Sequence, residues 1–179
     1  DKTANAFALP GGKIGVHTGI LPVANTPAQL GAVLGHEVGH VLDRHGNARM
    51  SAGALAQAGM TAVEMVAAMS GPITPAKQMG MQALGLGVQY GAILPYGRGQ
   101  ESAADIIGLE LMAKAGFDPH ESVTLWENMS RAGGPAPPEF LSTHPSSATR
   151  IAQLQAKIPD VMPLYEQARA AGRRPNCKP

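Results

Sequence analysis

The chain has 179 residues, enough for one domain with a modest core and hardly for two. With 14 Lys and Arg against 13 Asp and Glu, the formal charge is only +1, which makes no electrostatic case for nucleic acid or an anionic membrane as a partner. The single cysteine, Cys177, excludes an internal disulfide and a tetrahedral cysteine metal site.

Taken from the N-terminus, the first signal is a hairpin. Thr3 to Leu9 is short and mostly apolar, Pro10-Gly11-Gly12 is a turn, and Lys13 to Thr18 alternates. The chain opens at Asp1 without a methionine and almost at once enters this strand, so it reads as a trimmed piece with no visible signal peptide. Thr26-Pro27-Ala28-Gln29 then supplies a hydroxyl at an N-cap, a proline at the first helical position and a glutamine three residues after the cap, which together predict a helix start. Leu30, Val33, Leu34, Val38, Val41 and Leu42 recur at helical spacing, and Gly46 reads as the stop.

Inside this helix, residues 36 to 40 read His-Glu-Val-Gly-His. Side chains four apart share one helix face, so the imidazoles of His36 and His40 converge on one point. That point suits a zinc ion, and Glu37 beside it can accept a proton from a water held there. The bland alternative is two histidines that happen to flank a glutamate on an amphipathic helix, and a third ligand decides between the two.

The interval from Met50 to Tyr96 is rich in Ala, Gly and Met and predicts two helices broken at Gly71 to Pro75. We take residues 50–97 as a helical hairpin inserted into a single catalytic domain spanning 1–179. The apolar stretch 79–94 is interrupted by Gln82 and Gln89 and falls short of the roughly 20 residues that a bilayer span needs, so no transmembrane span is expected. A membrane-leaning surface through 79–94 is the minority reading. Its methionines would let an apolar surface adapt to varied chains.

A hydrolytic zinc takes three protein ligands and keeps a fourth position open. After Gly97-Arg98-Gly99-Gln100, where glycines give way to a helix, come Glu101 and Asp105, one turn apart. Glu101 is free to bind zinc and Asp105 to accept the distal N–H of a ligand histidine. Taken alone this pair is an ordinary acidic first turn. With the upstream pentapeptide it completes a site, and small Ala103 and Ala104 leave room for another helix to press close.

Gly116-Phe117-Asp118-Pro119 ends the Glu101 helix, Pro119 to Arg131 forms the next with the only tryptophan, Trp126, and Ser146 or Ser147 caps one through Lys157. His144 lies in a loop between prolines. Arg169, Arg173, Arg174 and Lys178 read as a solvated basic tail. The fold class is α+β: mostly helical, with a small N-terminal hairpin over the two acid- and histidine-bearing helices.

His36-Glu37-x-x-His40 followed by Glu101-x-x-x-Asp105 resembles the gluzincin metalloproteases, specifically the group of HtpX-like, BepA-like, CAAX prenyl endopeptidase and Oma-type proteases. Asn5 to Gly12, Thr143-His144-Pro145 and Arg150-Ile151 are similar to that group's blocks, in the same order. The resemblance implies one Zn2+ per chain held by His36, His40 and Glu101, with Glu37 catalytic and a polypeptide substrate. It implies that the Asn5, Ala6, Phe7, Ala8 segment is the edge strand that pairs with substrate. It implies that His144 points into the site, either as an oxyanion donor or as a fourth ligand that keeps the enzyme latent. Arg150 would bind substrate carbonyls or a structural carboxylate. By analogy the resemblance also implies quality control of unfolded or misfolded polypeptides in the bacterial periplasm or cell envelope. The rival reading is a zinc-containing chaperone-like or binding module closed by His144.

Overall fold

The computed structural model describes residues 1–9, 11–132, 144 and 148–176. Two strands, β1 (Ala6–Leu9) and β2 (Lys13–Val16), form an antiparallel pair in which Ala6 faces Val16 and Leu9 faces Lys13. Gly11 and Gly12 both adopt positive φ in the turn, and the Gly12 amide donates to the Leu9 carbonyl at 3.1 Å. The expected turn residue Pro10 lies outside the described residues. A short 3-10 turn, Thr18–Ile20, leads into the helices.

Among the described residues six α-helices follow, and the molecule is α+β: α1 (Pro27–Leu42), α2 (His45–Met69), α3 (Pro75–Val88), α4 (Leu94–Ala115), α5 (His120–Ala132) and α6 (Ala148–Ala170). Helix α1 starts where the sequence places it. The Thr26 side chain accepts the Gln29 amide, and Gln29 Oε1 reaches one residue past the cap to accept the Asn25 amide at 3.0 Å. It ends at Leu42, before the expected stop at Gly46, because Arg44 itself takes the left-handed conformation (φ 52°) and Gly46 joins α2.

The chain divides into two compact units, one of Asp1–Asp43 with Glu101–Pro179 and one of Arg44–Gln100. In the first, α1 packs against α5 and β1, and α5 against α6. Its core gathers Ile20, Val33, Leu109, Met112, Leu125, Trp126, Met129, Leu154 and Val161. Helix α4 closes in a Schellman motif: Gly116 has φ 89°, and the Phe117 amide donates to the Met112 carbonyl at 2.9 Å. Helix α6 runs on past Lys157 through Pro159 and Pro163, because Leu154, Ile158, Val161 and Ala168 are buried along its length. The segment read as a solvated tail is in part docked, since Arg173 donates from Nη1 to the Lys114 carbonyl at 2.6 Å. Ser146 and Ser147 lie outside the described residues.

In the second unit, α2 packs against α3, and the break falls at the predicted glycine and prolines. Thr74 caps α3 by accepting the Lys77 amide. The Lys77 ammonium donates to the carbonyls of Ala67, Ser70 and Gly71 and so closes the end of α2. A π-helical turn, Gln89–Ile93, joins α3 to α4. Helix α4 therefore starts at Leu94 and passes through Gly97 and Gly99 instead of beginning after them.

One helix bears on the expectation of no transmembrane span. Helix α2 has 25 residues and is long and apolar enough to cross a membrane by length and composition. Met50, Leu55, Met65, Val66 and Met69 on it are exposed.

Candidate metal centre

Close approach of α1 and α4 sets the geometry of the site. A Cβ on Gly39 would lie 2.7 Å from the Ala104 carbonyl oxygen, and one on Gly35 would lie 2.8 Å from that of Gly108. A Cβ on Gly108 would meet the His36 amide nitrogen at 2.7 Å. Main chain thus rests on main chain along a seam of small residues, which brings the turn of His36 and His40 directly over that of Glu101 and Asp105.

Four buried side chains converge there: His36, His40, Glu101 and His144 each present a ligand atom, all within 4.8 Å of one another. His36 Nε2 is 3.1 Å from His40 Nε2 and 3.2 Å from Glu101 Oε2, and His40 Nε2 is 3.4 Å from Glu101 Oε1. A tetrahedral ion with bonds of about 2.0–2.1 Å has ligand–ligand edges of about 3.3 Å, so these separations fit a small divalent cation. His144 Nδ1, at 3.2 Å from His36 Nε2 and 2.9 Å from Glu101 Oε2, stands where a fourth ligand would. Its Nε2 is 3.4 Å from Glu37 Oε1. Thr143 and Pro145 beside it lie outside the described residues.

A second layer fixes the first. His36 Nδ1 donates to Asp105 Oδ1 at 2.9 Å, which turns Nε2 towards the cage. Asp105 is gripped by Arg150, whose Nε donates to Oδ2 at 2.6 Å and Nη2 to Oδ1 at 2.8 Å. Arg150 Nη1 also lies 3.4 Å from Glu101 Oε2. All three of these charged groups are buried.

The electrostatics are those of a cage built for a cation. Burial would raise the carboxyl of Glu101, but hydrogen bonds from His144, His36 and His40 hold it far below the carboxylate range. Asp105 is likewise held down by His36 and Arg150 against the cost of its burial. Burial disfavours charge on His36, yet Asp105 and Glu101 push it up to about 9, whereas burial brings His40 down to about 4.

Of the strand residues, Asn5 and Ala6 are buried and Phe7 is exposed. The His17 amide donates to the Asn5 carbonyl at 2.9 Å, so by alternation the main-chain groups of Ala6 and Ala8 face away from β2. Sequence reasoning overlooked Trp126. Its ring stands edge-on to His36 at 6.0 Å and lies 4.2 Å beneath the Arg150 guanidinium. Being the only tryptophan, on a strongly amphipathic helix, was the available signal, and it reads equally well as core.

The family model described as Peptidase family M48 matches residues 1–158. The chain is 39% identical over 162 residues to the mitochondrial metalloendopeptidase OMA1 of Schizosaccharomyces pombe, covering 89% of the chain and 45% of that protein. It is 35% identical over 185 residues to the mitochondrial metalloendopeptidase OMA1 of Homo sapiens, covering 98% of the chain and 33% of that protein. It is 31% identical over 173 residues to the beta-barrel assembly-enhancing protease of Escherichia coli, covering 92% and 34%. The chain thus spans a third to a half of the length of these relatives. They also correct the expectation of a bacterial periplasmic or cell-envelope location, since the relatives matched at higher identity are mitochondrial by name.

Proposed function

The chain belongs to peptidase family M48, and from that premise we propose that it is a zinc-dependent metalloendopeptidase acting on unfolded or misfolded polypeptide. The observation that carries the reading is the convergence of His36 Nε2, His40 Nε2 and both Glu101 oxygens at 3.1 to 3.4 Å. Two imidazoles and a carboxylate suit zinc. Bound there, the ion would bring the pKa of a water down to about 7 and draw charge from a peptide carbonyl.

The chain's own groups do the rest. Glu37, next to His36 on the same helix, takes the proton of the attacking water on its carboxylate and returns it to the leaving amine. Asp105 holds the His36 tautomer, and Arg150 holds Asp105, which supports its structural-carboxylate role over direct binding of substrate carbonyls. The edge of β1 away from β2 offers the Ala6 carbonyl and the main-chain groups of Ala8 to an extended polypeptide, while the Ala6 amide is held by Asn5 Oδ1 at 2.9 Å, and such pairing tolerates many sequences. The exposed apolar length of α2 supports membrane association through the Arg44–Gln100 unit. Co-flotation of the full chain with lipid vesicles tests this, and a chain left wholly in the aqueous fraction overturns it.

A second reading is favoured by one contact. With His144 Nδ1 2.9 Å from Glu101 Oε2, four protein donors would enclose the ion and give the closed coordination of a latent or structural site. Digestion of unfolded casein with and without chelator, together with elemental analysis, tests the main reading. Chelator-sensitive cleavage with one zinc per chain is expected, and protein that binds no zinc overturns it.

A further inference from the structure

Four residues on four different helices form a closed circuit: His36 on α1, Asp105 on α4, Arg150 on α6 and Trp126 on α5. His36 Nδ1 meets Asp105 Oδ1 at 2.9 Å, and Arg150 forks both Asp105 oxygens at 2.6 and 2.8 Å. The Arg150 guanidinium lies 4.2 Å over the Trp126 ring, and that ring returns to His36 edge-on, at 6.0 Å and 81°. Resting on the metal site proposed above, we propose that Trp126 is a positioning residue for the ligand His36. It sets the pose of the imidazole from both sides, directly by edge contact and indirectly by holding the arginine that holds Asp105.

The physical case rests on what each contact adds. Asp105 fixes one nitrogen of His36, the His40 and His144 rings meet its imidazole at 4.6 and 4.9 Å, and Trp126 adds a third T-shaped contact, from the helix that also backs Arg150. Arg150 is held in its plane by two donors on Asp105 and by Nη1 at 3.4 Å from Glu101 Oε2, and the indole face 4.2 Å away opposes its displacement out of that plane. Trp126 is 3% exposed and Arg150 is 4% exposed, so water does not substitute for either contact. A leucine of similar burial would fill the core but offers no π-face to either partner, whereas the indole meets both at once.

Metal affinity is the readout, because loss of an outer group that orients a ligand histidine commonly lowers affinity 10- to 100-fold. Zinc affinity is measured by chelator competition on the full chain, and Co2+ loading is followed by its visible absorption. Trp126→Leu should weaken zinc about tenfold and broaden the Co2+ bands, and Trp126→Phe, which keeps a smaller π-face, should weaken zinc by less. In an Arg150→Met background the further loss from Trp126→Leu should shrink to about two- or threefold, since part of its action passes through Arg150. If Trp126→Leu does not fold, the Trp126→Phe pair with and without Arg150→Met carries the same comparison. Unchanged zinc affinity in a folded Trp126 variant overturns the proposal, and so does fully additive loss in the double variant. Wild-type chain that binds no zinc overturns the metal-site reading itself, which is a separate result.

Discussion

His144 and Glu101 lie 2.9 Å apart, Nδ1 to Oε2, so a loop histidine shares an oxygen with the carboxylate proposed as the third metal ligand. The same imidazole presents Nε2 to Glu37 at 3.4 Å. One side chain therefore stands between the proposed ion and the proposed base.

Removal of that side chain separates the two readings of the site. If His144 closes the coordination, His144→Ala should raise peptide cleavage several-fold while zinc is retained by His36, His40 and Glu101. If His144 serves as an oxyanion donor, the same change should lower kcat by about 10²- to 10³-fold with little effect on KM. Cleavage of a quenched fluorescent peptide measures both, and an unaltered rate would exclude each role.

Glu37→Gln removes the proton acceptor and keeps the shape. Cleavage should fall at least a thousandfold, a loss of about 4 kcal/mol or more in barrier lowering, while zinc content stays at the wild-type level. Retention of proteolysis by the variant would assign the base elsewhere.

Metal binding should release a proton. In the ion-free protein His36 titrates at about 9, above the ordinary 6.5, so near neutrality its imidazole is charged and an incoming ion displaces that proton. Affinity should then rise about tenfold per pH unit towards pH 9 and flatten beyond. Stability of the ion-free protein runs the other way, because a raised histidine pKa contributes fully below 6.5 and its contribution is lost as pH rises through about 9. Calorimetry in buffers of different ionisation enthalpy reads the first effect and ion-free Tm against pH the second; binding without proton release would contradict the assignment.

The helix seam predicts a contrast between two glycines. Gly39→Ala places a Cβ 2.7 Å from the Ala104 carbonyl and should cost about 1–3 kcal/mol together with weaker zinc binding. Gly59→Ala, on α2 with nothing within 4 Å, should be neutral or stabilising by up to about 1 kcal/mol. Thermal unfolding of both variants tests this, and equal behaviour would mean that the seam can yield.

What could be read before folding was whatever acts over one helical turn. The Thr26 cap, the spacing of His36 and His40, the pair Glu101 and Asp105, and the Gly116 stop are local patterns with local physics, and each appears in the molecule. What stayed hidden depended on a partner far along the chain. Gly35 and Gly39 reveal their purpose only once Ala104 and Gly108 face them, and Trp126 only once Arg150 lies over it. The length of α6 across Pro159 and Pro163, and the start of α4 before Gly97, are cases where burial or helix continuation overrode local breakers.

The Arg44–Gln100 unit leaves the chain four residues after His40 and rejoins it one residue before Glu101. An ion shared by these two ligands would therefore act as a removable cross-link, closing a loop of about sixty residues much as a disulfide would in a chain whose single cysteine cannot form one. Chelation would then do more than silence chemistry. It would remove that cross-link and leave the seam of Gly35 and Gly39 against Ala104 and Gly108 to hold the two ligand helices together against the entropy of the loop.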